Sequence, residues 1–85
     1  MSEVLMYSSR YCPFCLRAKA LLKRKEASVE ELLVDGDTNT RREMMTKSGR
    51  HTVPQIWIGD LHVGGCDDLF LLEKQGKLDQ LLDAA

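Results

Sequence analysis

The chain has 85 residues, 44% of them hydrophobic and 29% charged, with a formal net charge of −1. That length supports one domain spanning residues 1–85, and near-neutrality excludes the strong positive field with which proteins hold nucleic acid or anionic membranes. No apolar run approaches the roughly 18 residues of a membrane span, and the first residues lack a basic-then-apolar secretion pattern, so a cytoplasmic location is expected.

Val4-Leu5-Met6-Tyr7, bounded by Ser8-Ser9, has the length and continuity of a fully buried strand. Pro13 opens a different pattern. Cys15, Ala18, Leu21 and Leu22 recur at helical spacing, with Arg17, Lys19, Lys23 and Arg24 on the other side. Pro suits the first helical position, where its missing N–H has no intrahelical acceptor, so Cys12 is expected to be the N-cap. Val29 to Val34 is expected to form a second strand, ending at the turn Asp35-Gly36-Asp37. Thr40 with Glu43 resembles a capping box for a second helix carrying Met44 and Met45 and closing at Ser48-Gly49. Ile56-Trp57-Ile58 and Leu61-His62-Val63 form a hairpin through Gly59-Asp60. Asp67 or Asp68 then caps a helix through Leu69 and Leu72 to Gly76, and Leu78 to Leu82 forms a last short helix.

The first two strands are joined through a helix and should be parallel with a right-handed crossover, whereas the last two should be antiparallel. The expected fold is α/β: a four-stranded mixed sheet with helices on both faces.

Cysteine usage carries the chemistry. Cys12 and Cys15 lie two residues apart between a strand and a helix, and Cys66 stands alone. A helix N-terminus favours a thiolate, the species that attacks disulfides, through its free N–H groups and dipole. Arg10 adds a nearby cation. Cys15 falls nearly a turn further in, on the apolar face, where burial keeps a thiol protonated. Cys12 is therefore the expected nucleophile and Cys15 the resolving thiol. A stabilised thiolate also leaves readily from its own mixed disulfide, which suits a catalyst released by a second thiol. The alternative use of such a pair, half of a zinc site, requires further ligands, and Cys66, His51 and His62 do not repeat the spacing. No metal is expected.

Three segments in this order resemble the glutaredoxins, most nearly the small bacterial dithiol type: Cys12-Pro13-Phe14-Cys15, Thr52-Val53-Pro54, and Gly64-Gly65-Cys66-Asp67-Asp68. The commoner active-site form has Tyr at the position of Phe14. The resemblance implies a thioredoxin-like fold, glutathione as co-substrate, and disulfide-containing or glutathionylated proteins as partners, ribonucleotide reductase among the family's examples. It implies a cis Pro54, with the Val53 backbone pairing with glutathione as an added strand. It also implies that Gly64 and Gly65 allow close backbone approach, and that the N–H groups near Cys66 and Asp67 take the γ-glutamyl carboxylate while Asp67 meets its ammonium group, with Asp68 alongside. Phe14, Thr52 and the Cys66 backbone are expected at the ligand, the Cys66 thiol packing as a small apolar group. Many members carry a lysine three residues before the nucleophile. This chain has Ser9 there, so Arg10 and Arg41 are expected to face the glycyl carboxylate. Tyr7 and Trp57 are expected to pack, Tyr11 to wall the cleft, and His51 and His62 to be surface or hairpin residues.

Two other activities share parts of this pattern. A redoxin served by a flavoprotein has no need of Gly64-Gly65-Cys66-Asp67-Asp68, and the resemblance implies that Pro13, which stiffens the active-site turn, disfavours an iron–sulfur carrier. A monomer is expected.

Overall fold

Side chains along Val4–Ser8 point alternately to opposite faces of a sheet, and both faces are covered. The structure, a computed structural model, describes residues 2–83. The elements run β1 (Val4–Ser8), α1 (Pro13–Arg24), β2 (Val29–Leu33), α2 (Thr38–Ser48), β3 (Gln55–Ile58), β4 (Leu61–Gly64), α3 (Cys66–Lys74) and α4 (Leu78–Asp83). Strand order is β2-β1-β3-β4: β1 pairs parallel with β2 and antiparallel with β3, which pairs antiparallel with β4. This is the expected mixed sheet.

Alternation divides the core in two. Val4 and Met6 of β1 and Ile56 and Ile58 of β3 pack against Ala18, Leu21 and Leu22 of α1, Leu69 of α3, and Leu78 and Leu82 of α4. On the other face Tyr7 and Trp57 pack with Val34 and Met44 of α2. Each fully buried Leu, Ile, Phe or Met stabilises by about 1.5–3 kcal/mol, so the three-helix face dominates the stability. Lys25, just past α1, ties that layer together through ion pairs of 2.9 Å to both Glu73 and Asp79.

Two helix starts differ from expectation. Helix α2 begins at Thr38, capped by Asp37, whose Oδ1 accepts from the Thr40 N–H at 3.0 Å. Asp37 and Thr40 are both competent caps; the earlier one prevails because Thr40 then serves as its N3 donor. Glu43 is released from capping and accepts from the Tyr7 hydroxyl at 3.0 Å. Helix α3 begins at Cys66 with Gly65 as N-cap, which places Asp67 and Asp68 inside the first turn rather than at the cap. The second strand ends one residue earlier than expected, although the Val34 N–H still bonds to the Ser8 carbonyl at 2.9 Å.

Among the described residues of α2, Met44 is the buried one. Met44→Ala should therefore cost about 2–5 kcal/mol in urea unfolding, and Met45→Ala, on the exposed side, about 0.5 kcal/mol or less. Equal midpoints for the two variants would contradict this anchoring of α2.

Candidate active site

The turn between β1 and α1 presents Cys12. Its backbone is extended (φ −113°, ψ 106°), Pro13 occupies the first helical position, and its Sγ accepts from the Cys15 N–H at 3.1 Å. The sulfur thus takes a role usually filled by Ser, Thr, Asp or Asn oxygen. The first turn of α1 holds no acidic residue, so no carboxylate offsets the positive end of the helix there. The Cys12 thiol also lies 3.9 Å from the Val53 carbonyl, to which it donates.

Cys15 is 1% exposed. Burial pushes its thiol well above the usual range, and its hydrogen bonding with Cys12 pushes the same way. Both thiols are free, as is that of Cys66. The two motif cysteines differ in degree of burial and in place: Cys12, 9% exposed, has its sulfur at the helix entrance, and Cys15, 1% exposed, has its thiol raised by burial.

Beside this turn lies a cleft of about 230 Å³, lined by Phe14, Arg50, Thr52, Val53, Pro54, Gln55 and Gly65–Asp68. The three motif segments, distant in sequence, thus meet at one place. The Val53–Pro54 bond is cis. Phe14 is 52% exposed and Tyr11 94% exposed, so rings flank the cysteine turn in solvent. Cys12 is not among the lining residues; it meets the cleft at its edge, through Val53.

The first turn of α3 closes the cleft. Asp68 Oδ2 accepts from the Gly65 N–H at 2.9 Å and pairs with Arg50 Nη1 at 3.2 Å. The Gly65 hydrogen bond holds the Asp68 carboxyl below the usual carboxylate range, with Arg50 acting in the same direction. This is the N3 half of a capping box; the glycine cap has no side chain to supply the other half. Gly64 has φ +113°, and a Cβ there would lie 2.9 Å from the Asp68 carboxyl carbon and 3.1 Å from Arg50 Nη1. The lack of a side chain at Gly64 thus makes room for Asp68. At Gly65 a Cβ would meet the Pro54 carbonyl at 3.4 Å, so the two motif segments run close together there.

Cys66 is buried in the core, and burial raises its thiol. Its packing matches expectation. Arg10 and Arg41 do not line the cleft. Asp35 accepts from the Arg10 backbone N–H at 2.7 Å, and the charges of Arg10 and Arg41 help hold its carboxyl low.

Two lining residues were not anticipated. Arg50 had a faint signal, as a basic residue two positions before the Thr52 motif. Gln55 had a better one, a polar residue at the start of an otherwise apolar strand, where it is 1% exposed. His62, expected as a surface or hairpin residue, lies on β4 of the hairpin, half-buried, stacks on Trp57 at 4.6 Å, and meets Gln55 at 2.8 Å. His51 is exposed. Among the described residues, no group of three or more His, Cys, Asp or Glu is arranged to hold a metal ion. No described helix is long and apolar enough to cross a membrane.

The glutaredoxin family model matches residues 4–63. A glutaredoxin of Pseudomonas aeruginosa is 54% identical over 99% of this chain and 100% of its own length. Glutaredoxin 3 of Escherichia coli is 52% identical over 96% of this chain and 99% of its own. A crystal structure of a buckwheat glutaredoxin–glutathione complex superimposes with a TM-score of 0.86 at 28% identity, over 95% of this chain and 76% of that one.

Gly64→Ala should displace Asp68 and lower the thermal midpoint well beyond Gly65→Ala, because only the first combines positive φ with a steric conflict. The reverse order of midpoints would remove the steric account of the α3 start.

Proposed function

The chain belongs to the glutaredoxin family of thiol–disulfide oxidoreductases, and from that premise we propose that it is a glutathione-dependent dithiol enzyme with Cys12 as nucleophile and Cys15 as resolving thiol. The observation that carries this reading is the asymmetry of the pair. Cys12 Sγ, 9% exposed, caps α1 at 3.1 Å from the Cys15 N–H and adjoins the cleft, whereas Cys15 is only 1% exposed and has a raised pKa.

In the first mode the Cys12 thiolate attacks the glutathionyl sulfur of a protein–glutathione disulfide. The old S–S bond breaks, the protein leaves as a thiolate that takes a proton from water, and Cys12 holds the glutathione. A second glutathione thiolate then attacks that sulfur, releasing glutathione disulfide and the Cys12 thiolate. In the second mode Cys12 attacks a protein disulfide, and Cys15 loses its proton and displaces the reduced protein, forming the Cys12–Cys15 disulfide. Two glutathiones restore the pair. A potential of about −200 to −230 mV, usual for glutaredoxins, lies close enough to the glutathione pool for either direction.

The cleft suits the tripeptide. The Val53 backbone offers strand-like pairing, and Phe14 and Thr52 flank it. The N–H groups of the first α3 turn suit the γ-glutamyl carboxylate, and Asp67 suits the ammonium, with Asp68 completing the turn. Gly64, Gly65, Pro13 and Pro54 shape the backbone around these contacts. The Cys66 backbone contributes and its thiol stays inert. Arg10 and Arg41, outside the cleft lining, supply positive charge for the glycyl carboxylate. The relative crystallised with glutathione supports the ligand class. Partners are glutathionylated or disulfide-bearing proteins of the cytoplasm, ribonucleotide reductase among them, met by a monomer of one domain without a resident metal.

Reduction of a glutathione mixed disulfide, coupled to NADPH through glutathione reductase, tests this directly. Cys12→Ser should be inactive; Cys15→Ser should retain this activity yet lose protein-disulfide reduction. Loss of both activities in Cys15→Ser would refute the division of labour, and an inactive wild type would refute glutathione dependence.

A further inference from the structure

We propose that His62 is a positioning residue, holding the Thr52–Pro54 segment beside Cys12 through the buried amide of Gln55. The idea rests on the reading of the cleft as the glutathione site. It starts from hydrogen bonds that can run in only one direction. Gln55 Nε2 lies 3.0 Å from the Thr52 main-chain oxygen and 3.3 Å from the Thr52 hydroxyl. A carbonyl oxygen only accepts, so the amide must present its NH₂ to Thr52. Its Oε1 therefore points to β4, where His62 Nε2 stands 2.8 Å away. That oxygen also only accepts, so His62 carries its proton on Nε2 and donates it. The sequence His62 to Gln55 to Thr52 is thus directional, from β4 across β3 into the loop.

Each end of this chain is anchored. Gln55 is 1% exposed, so an amide oxygen deprived of His62 finds no bulk water in exchange. The His62 ring is stacked on Trp57, interplanar angle 30°, and Trp57 meets the Tyr7 ring edge-on at 5.5 Å. Lys47 Nζ lies 4.8 Å from the Trp57 ring centre, so the stack is closed off from the α2 side. Burial lowers the pKa of His62 and the charge of Arg50 adds to this, with Asp68 opposing, which favours the neutral ring that a defined tautomer requires. At the other end Thr52 adjoins Val53, whose carbonyl lies 3.9 Å from Cys12 Sγ. No sulfur chemistry needs a histidine on β4. The role that fits is to fix where the loop backbone stands when the tripeptide pairs with it.

Because the loop backbone binds ligand rather than transferring electrons, the effect should fall on KM. His62→Phe keeps a ring on Trp57 but removes the donor, and His62→Gln replaces the donor near the Nε2 position. For a glutathionylated peptide, His62→Phe should raise KM about ten-fold with kcat within about two-fold, and His62→Gln should recover most of the loss. The amide NMR signals of Thr52 and Val53 should shift in His62→Phe and return in His62→Gln. Nitrogen NMR of the wild type at neutral pH should find the Nε2–H tautomer, a readout that needs neither turnover nor a variant that folds. An Nδ1–H tautomer, an unchanged KM in His62→Phe, or a His62→Gln no better than His62→Phe would each overturn the relay. A wild type that fails to turn over the peptide would sink the glutathione reading instead, and the tautomer and the two amide signals would still judge the relay.

Discussion

A helix that starts on sulfur is the constraint from which the rest of the site follows. The first N–H groups of α1 have no intrahelical acceptor, and here one of them is satisfied by Cys12 Sγ at 3.1 Å. Capping by the sulfur fixes it at the positive end of the helix, where negative charge is favoured. It also fixes Cys15, because the donor of that hydrogen bond is Cys15's own backbone. With its N–H directed at the cap, Cys15 is the more deeply buried of two buried cysteines, and one local geometry separates a sulfur at the helix entrance from one below the surface. Pro13 supports this by occupying the helical position where its missing N–H has least consequence.

The sheet brings the other parts to that sulfur. Antiparallel pairing of β1 with β3 places the Thr52–Pro54 segment, which enters β3, beside the exit of β1 that leads to Cys12. Antiparallel pairing of β3 with β4 returns the chain to the same end, where Gly64 and Gly65 admit the first turn of α3. Gly65 nearly touches the Pro54 carbonyl, and Asp68 fills the space that a side chain at Gly64 would take. The cleft is therefore built from three chain segments whose backbones are close together. Its polar contacts are linked as well. Arg50 pairs with Asp68 on one side, and on the other Gln55 connects His62 with Thr52.

Elements with one strong determinant were legible in the sequence. The continuous apolar run at Val4–Tyr7, the helical period from Cys15 to Leu22, and the Gly59-Asp60 turn each had no close competitor. The cap of α2 was misjudged because Asp37 and Thr40 are both good caps, and the earlier one prevails with the Thr40 N–H as its donor. At α3 the acidic pair suggested a side-chain cap, yet the helix starts at a glycine, with Asp68 reaching back from inside. The site was legible as motifs but not as a network. Arg50, Gln55 and His62 gain their partners only when β3, β4 and α3 meet, and nothing in local spacing foretells those contacts. Arg10 and Arg41 came from the family resemblance, and neither is among the residues that line the cleft.

The central claim, that Cys12 carries glutathione into the adjoining cleft, is tested most directly by trapping that species. Cys15→Ser treated with glutathione disulfide should form a single adduct on Cys12. Contacts from its glutathionyl group, observed by isotope-filtered NMR, should reach Val53 and the Gly65–Asp68 turn. An adduct on Cys66, or one on Cys12 whose tripeptide makes no contact with those residues, would contradict the account.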